Sequence, residues 1–238
     1  LAIVAIGHMV TVPTALALSE IATNRRVEGG GEYYIISRSF GTTIGSEIAL
    51  AHYLCQAVTV SFYMIAFAEA FRPPAHLAPQ YLHMAFDPRM ASIPGTLLLV
   101  LLMLSRGADL GVKALVLVVA TLTVSFVLFF AGKPVAGMES SNVALQQTIA
   151  NPDSFFVVFA ICFPAFTGMT AGVGLSGDLK NPRKSIPLGT MTATILGGII
   201  YVAIVVKLAI SAPAEALASD QLVMSKIALW APIIPIGL

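Results

Sequence analysis

One stretch of the chain holds most of the residues whose types and spacing could do chemistry. Residues 155–182 read FFVVFAICFPAFTGMTAGVGLSGDLKNP. Pro164 interrupts this apolar run, and Gly168, Gly172, Gly174 and Gly177 follow it. Proline removes a backbone N–H and clashes with the carbonyl four residues back. Glycine in a helix interior costs about 1 kcal/mol relative to alanine. Together they predict a break near Thr167–Ala171. Backbone groups freed inside a bilayer must line a polar cavity or be buried in protein. The outer half of such a helix ends in unpaired carbonyls, which suit a cation. The inner half begins with unpaired N–H groups, which suit an anion. No Asp, Glu, Lys or Arg lies between Phe155 and Gly177. Dipoles and hydroxyls would therefore hold whatever binds there, which suits inorganic ions bound as a pair of opposite sign. The competing reading is an unbroken, Pro-kinked helix in which Gly168 and Gly172 form a GxxxG packing pair.

Other reactive side chains give weaker signals. Glu69 is costly within a bilayer, but it stands near the end of its apolar run, beside Arg72, where a structural or gating role is the simpler reading. Glu47 reads as a solvated or packing residue. His8 and His52 lack an adjacent carboxylate and read as satisfied core histidines rather than a proton relay. His76 and His83 lack a metal-ligand partner set. Gly29-Gly30-Gly31 is followed by no Lys-Ser/Thr and is no phosphate loop; it reads as a flexible inner hinge. Asp178, Lys180, Arg183 and Lys184 read as a charged loop that anchors topology, with an inner gate as the sharper alternative. Cys55 and Cys162 lie in apolar runs and make neither a disulfide framework nor a metal site. There is no HExxH, no GxSxG-type elbow and no pair of in-span aspartates, so the expectation is no enzyme and no cofactor.

The elements that must position these residues follow from composition. Of 238 residues, 57% are hydrophobic and 11% charged, and mean hydropathy is +0.88. A soluble domain carries about 25% charged residues. The chain therefore reads as an all-α polytopic membrane protein without a soluble domain. With 13 Lys+Arg against 12 Asp+Glu there is no basic excess to recruit nucleic acid; the expected surroundings are a lipid bilayer. Spans of roughly 20 apolar residues are expected at Leu1–Ser19, Gly45–Phe71, Ile93–Ser105 (short), Val112–Gly132, Phe155–Leu179 and Ile186–Ser211, with a seventh starting at Trp230. The amphipathic stretch Ala214–Leu229 reads as a short surface helix or a loop. The chain reads as an internal fragment, with at least one span expected upstream. Arg25, Arg26, Arg38, Arg106, Lys113, Lys180, Arg183 and Lys184 fall on one set of alternate connections; Arg72, Arg89, Lys133 and Lys226 fall on the other. The positive-inside rule then puts loops 20–44, 105–113 and 178–186 in the cytoplasm.

Three segments resemble one known family, the cation-chloride cotransporters of the amino acid–polyamine–organocation superfamily. EIATNRRVEGGGEYYIISRSFG (20–41) resembles the cytoplasmic connection leading to that family's third helix. QAVTVSFYMIAFAEAF (56–71) resembles the third helix. Residues 155–189, ending SGDLKNPRKSIPLG, resemble the sixth helix and the following loop. The resemblance implies a partial LeuT-like inverted-repeat bundle with a discontinuous helix near Pro164–Gly172. Residues 1–238 would be one partial transporter domain, from about the second helix to the start of the eighth. It implies symport of chloride with potassium, sodium or both in the cell membrane. It assigns potassium binding to Tyr63, Pro164 and Thr167, and chloride binding to the backbone amides of Gly168, Met169 and Thr170. Position 170 departs from the aliphatic residue of many relatives, which matters little to a backbone site. Residues 133–154 are short and hold no N-x-[ST] sequon, unlike the long glycosylated loop of animal members, which points toward a prokaryotic relative. No metal beyond a transported alkali cation is implied, and a homodimer is left open.

Read without the resemblance, Tyr63 is equally a core or lipid-facing aromatic, and Thr167 could bond its own helix backbone. An amino-acid or polyamine permease of the same superfamily is the alternative, using the same break to meet a substrate carboxylate. A voluminous cavity lined by aromatic residues beside the break would favour it. A non-transporting structural subunit is the remaining reading.

Overall fold

A computed structural model describes residues 1–24, 29–70, 87, 89–106, 108–135, 152–220, 222–232 and 234. The described residues form helices α1 (Ala2–Asn24), α2 (Gly31–Phe40), α3 (Thr42–Ala70), α4 (Arg89–Arg106), α5 (Ala108–Phe130), α6 (Phe155–Cys162), α7 (Ala171–Gly174), α8 (Pro182–Ser211), α9 (Ala214–Ser219) and α10 (Val223–Ile227). Short 3-10 turns at Phe163–Phe166 and Ser176–Asp178 flank α7. Five segments among the described residues are long and apolar enough to cross a membrane: Ala2–Asn24, Thr42–Ala68, Lys113–Phe130, Phe155–Gly174 and Pro182–Ser211. The apolar helix Arg89–Ser105 is shorter. This is the all-α polytopic fold expected from composition.

The helices carry the marks of a lipid environment. On α5, Val116, Leu117, Val118 and Val119 are all exposed. Four consecutive residues cover the whole circumference, so that stretch is apolar all round, as a span facing lipid must be. Hydroxyls on these helices turn back on their own backbone. Thr14 donates to Val10 O, Ser19 to Ala15 O, Thr59 to Cys55 O, Thr121 to Leu117 O and Thr194 to Thr190 O, at 2.7–2.9 Å. A hydroxyl with no water to bond finds its nearest acceptor one turn back.

The chain divides into two compact units, Leu1–His52 with Val143–Ala209, and Tyr53–Asn142 with Ile210–Leu238. In the first, Ala22, Val173 and Ile186 form a buried cluster with Leu18, Ile35 and Leu179 packed against it. In the second, Phe129 and Ile227 are fully buried. The N–H of Leu229 donates to Leu128 O (3.0 Å), tying the end of the α9–α10 segment to α5.

Several expected boundaries shift. The segment 20–44 is not a plain loop: α1 runs on to Asn24 and α2 occupies Gly31–Phe40. Within the Gly29-Gly30-Gly31 run, the third glycine makes a close packing contact. Gly31 is buried at φ +56, and a Cβ there would stand 3.0 Å from Gly174 Cα and 3.3 Å from Val173 O. The sixth span begins at Pro182 rather than Ile186, because proline is well placed in a first helical turn. Ala214–Leu229 holds two short helices, divided at Asp220. There Lys226 Nζ bonds Asp220 Oδ2 (2.7 Å) and the Leu222 N–H donates to Asp220 Oδ1 (2.9 Å). These partners hold the Asp220 carboxyl below its ordinary value of 3.8, with the Lys226 hydrogen bond the largest cause. Arg25, Arg26, Glu28, Arg72, His76, His83, most of 133–154, most of the expected seventh span and the Glu69 side chain lie outside the described residues.

Candidate functional site

The fifth span is interrupted where Pro164 and the glycines predict. Helix α6 ends at Cys162, and residues Phe163–Phe166 tighten into a 3-10 turn with Pro164 near its start. Thr167 is extended (φ −91, ψ −176) and Gly168 stands at φ +95. An L side chain rarely adopts that φ, and glycine adopts it without a Cβ penalty. The chain then resumes as α7, a single turn of four residues. The inner half is thus much shorter than an aligned half-helix. The glycine content that opens the break also removes the propensity to extend the helix after it. A four-residue turn has little macrodipole, so its attraction for an anion rests on individual amides.

Those amides are available. The N–H of Ala171 donates to Gly168 O, and the N–H groups of Val173 and Gly174 donate to Thr170 O. Among the described residues, none accepts from the N–H of Gly168, Met169 or Thr170. Thr167 and Gly168 are exposed, and Met169 and Thr170 are half-buried. Three successive unpaired amides, beginning at a left-handed residue, have the local chemistry of an anion-binding nest.

On the other side of the break the oxygens are partly engaged. Pro164 O accepts both the Thr167 N–H (3.2 Å) and the Thr167 hydroxyl (2.6 Å). Thr167 therefore does bond its own backbone, and by doing so it brings its oxygen beside the Pro164 carbonyl. Its lone pairs stay free to face a cation, because the hydroxyl gives up only its proton. Ala165 O accepts a hydrogen bond from the Tyr201 hydroxyl of α8 at 2.7 Å.

Helices α1 and α8 hold this segment in place. Phe166 packs on α1 where Gly7 has no side chain; a Cβ at Gly7 would collide with the Phe166 ring. The ring of His8 stands 5.2 Å from that of Phe166 and 6.3 Å from that of Tyr201. Phe166 and Tyr201 meet edge to face at 5.1 Å. His8 Nδ1 bonds Val4 O at 2.8 Å. That nitrogen must carry the proton, since its partner is a carbonyl, so the expectation of a satisfied histidine holds. A cavity of about 490 Å³ opens beside the break, lined by Thr167, Gly168 and Met169, by Thr190 and Thr194 of α8, and by the rings of His8, Phe166 and Tyr201.

The structure thus brings together five of the six sequence-predicted site residues, Pro164, Thr167, Gly168, Met169 and Thr170. The sixth, Tyr63, belongs to the second unit, where it is exposed on α3 with its ring 5.9 Å from that of Phe62. Tyr201 and the cavity-lining position of His8 are not apparent in the sequence reading. The signal for Tyr201 was present: a tyrosine hydroxyl inside a span needs a polar partner. That argument singles out Tyr63 and applies equally to Tyr201. Among the described residues no group of three or more His, Cys, Asp or Glu could hold a metal.

Comparison with known proteins places this geometry in context. The family model described as amino acid permease matches residues 1–238. The chain is 34% identical over 217 residues to solute carrier family 12 member 2 of Danio rerio, covering 86% of this chain and 19% of that protein. It is 34% identical over 220 residues to solute carrier family 12 member 1 of Homo sapiens, covering 86% and 20%. It is 34% identical over 222 residues to solute carrier family 12 member 3 of Mus musculus, covering 85% and 22%. The chain spans about a fifth of the length of these curated relatives.

Proposed function

The chain belongs to the amino acid permease family and, within it, to the cation-chloride cotransporters whose motifs it carries; from that premise we propose that it is part of an alternating-access symporter moving chloride with potassium, sodium or both. Residues 1–238 are then one partial transporter domain in the cell membrane, with 20–44, 105–113 and 178–186 on the cytoplasmic side. The observation that carries the reading is the run of unpaired amides at Gly168, Met169 and Thr170, set directly after the paired oxygens of Pro164 and Thr167.

The physical case rests on the absence of formal charge. A desolvated ion at a neutral site needs several oriented dipoles, and a hydrogen bond to a charged group contributes about 1.5–3 kcal/mol. Three amides facing chloride supply that on one side of the break. The Pro164 carbonyl and the Thr167 hydroxyl oxygen supply the cation side, and the family resemblance adds the Tyr63 hydroxyl as a potassium ligand. Each ion offsets part of the other's desolvation, so the two bind best together and cross as a pair. An electroneutral load also moves without work against the membrane potential, which otherwise costs about 2.3 kcal/mol per charge per 100 mV.

A second reading has its own support. The cavity of about 490 Å³ is larger than two inorganic ions need, and the rings of His8, Phe166 and Tyr201 line it. These features favour a small amino acid whose carboxylate meets the same amides. A polyamine fits poorly, because no carboxylate lines the cavity among the described residues.

Radiotracer rubidium uptake by the full-length protein in vesicles separates the two. The symport reading expects uptake that requires chloride and is reduced by Thr167→Ala and by Tyr63→Phe. Uptake indifferent to chloride and to both substitutions, with a labelled amino acid accumulated instead, would count decisively for the second reading.

A further inference from the structure

An α-helix pairs each carbonyl with the N–H four residues later, so in an unbroken fifth span Ala165 O would accept from the N–H of Met169. In this structure neither group has that partner. The Met169 amide is unpaired among the described residues, and Ala165 O is taken by the Tyr201 hydroxyl at 2.7 Å, from a residue 36 positions away. The Ser and Thr hydroxyls described above bond carbonyls within their own helix; this phenol reaches across to another element.

We propose that Tyr201 is a positioning residue that keeps the discontinuous helix open. By bonding the Ala165 carbonyl from α8, it holds that carbonyl turned out of line with the Met169 amide, and so leaves that amide free for an anion. The inference goes beyond the transport reading in its structural claim and rests on it only for the consequence in chloride affinity.

The surroundings are arranged for this bond. The Tyr201 ring meets Phe166 edge to face at 5.1 Å, and Phe166 is seated in the space left by Gly7 on α1. The residue after the captured carbonyl is therefore gripped from two sides, which fixes where the carbonyl points. The nearby Pro164 carbonyl accepts two bonds from Thr167 and cannot take the Met169 amide as well. The direction of the Ala165 carbonyl therefore adds to the local effects of Pro164 and Gly168 in keeping the break open, and Tyr201 fixes that direction. What holds the carbonyl in that direction is one hydrogen bond, so the scale is that of a single net hydrogen bond, about two- to tenfold in an equilibrium.

Tyr201→Phe in the full-length protein keeps the ring and deletes the donor. The first readout is amide hydrogen exchange of the 163–171 segment, which needs no knowledge of the substrate. Exchange in this segment is expected to slow about two- to tenfold, because the Met169 N–H acquires the released carbonyl; unchanged or faster exchange overturns the proposal. The second readout is the chloride concentration for half-maximal rubidium uptake. It is expected to rise by a similar factor. Slowed exchange in a protein whose uptake never depended on chloride leaves the positioning role standing and sinks the ion reading alone. Replacing Tyr201 by 4-aminophenylalanine, which retains an N–H donor at the same reach, is expected to restore both readouts. Were Tyr201→Phe not to fold, this replacement still decides: exchange matching the unsubstituted protein supports the role, and slowed exchange refutes it.

Discussion

Replacing Gly168 by alanine isolates the backbone of the break from everything around it. A Cβ built on Gly168 meets nothing within 4 Å, so the substitution introduces no collision. What it introduces is strain, because Gly168 stands at φ +95. An L residue held in left-handed backbone costs about 1–2 kcal/mol. If the open break is the binding-competent form, its ratio to the closed form falls by about five- to thirtyfold. Apparent affinity falls by up to that factor, since the dissociation constant scales inversely with the competent fraction. The assay is the chloride dependence of rubidium uptake by the full-length protein, with Gly174→Ala as the comparison. Gly174 lies in the same span, has ordinary φ and also meets nothing within 4 Å. Gly168→Ala is expected to raise the half-saturating chloride concentration, by up to about five- to thirtyfold, and Gly174→Ala to leave it unraised, because alanine there adds helix propensity without strain or collision. Gly168→Asn should fall between them, because asparagine tolerates positive φ better than alanine. Identical behaviour of Gly168→Ala and Gly174→Ala would refute the argument that left-handed backbone at the break sets affinity.

Three further outcomes are expected. Thr167→Val removes the hydroxyl that donates to Pro164 O at 2.6 Å and should raise the half-saturating rubidium concentration about two- to tenfold. Thr167→Ser should restore it, and equal kinetics in Val and Ser variants would exclude the hydroxyl. Gly31→Ala places a Cβ 3.0 Å from Gly174 Cα at φ +56, so it should destabilise the fold by about 1–3 kcal/mol. A thermal melt of the purified protein checks this, and an unchanged midpoint contradicts the close approach. The Asp220 carboxyl is held below 3.8, first by its hydrogen bond to Lys226 and then by the Leu222 amide. A depressed folded value means that its contribution is present above 3.8 and fades as pH falls through the lower folded value. Carbon-13 titration should place its midpoint below 3.8 and return it toward that value in Lys226→Met; a midpoint at or above 3.8 in the unsubstituted protein contradicts the pairing.

The break was readable because its causes are local. Pro164 and Gly168 act on their own backbone, and the missing charges between Phe155 and Gly177 are a fact of composition. Helix ends were less readable. Residues 20–24 are polar enough to suggest a loop, yet packing of Ala22 with Val173 and Ile186 extends α1 through them. The glycine run at 29–31 carries a signal for flexibility that sequence cannot separate from a signal for close approach. Only the neighbouring Gly174 backbone reveals the close approach at Gly31. Likewise, Tyr63 and Tyr201 look equivalent as in-span tyrosines until Ala165 O is found against one of them.

What the sequence determined by itself is a set of apolar helices and the place where one of them fails. In hydrocarbon each helix must satisfy its own backbone, so length, hydropathy and the proline–glycine cluster suffice to locate both spans and gap. The tertiary structure decided which freed groups stay free. Pairing of a carbonyl with a phenol 36 residues away, a ring seated over Gly7, and a cavity bounded by α8 all depend on helices meeting side by side. No local preference encodes such meetings, because they exist only once separate helices have packed.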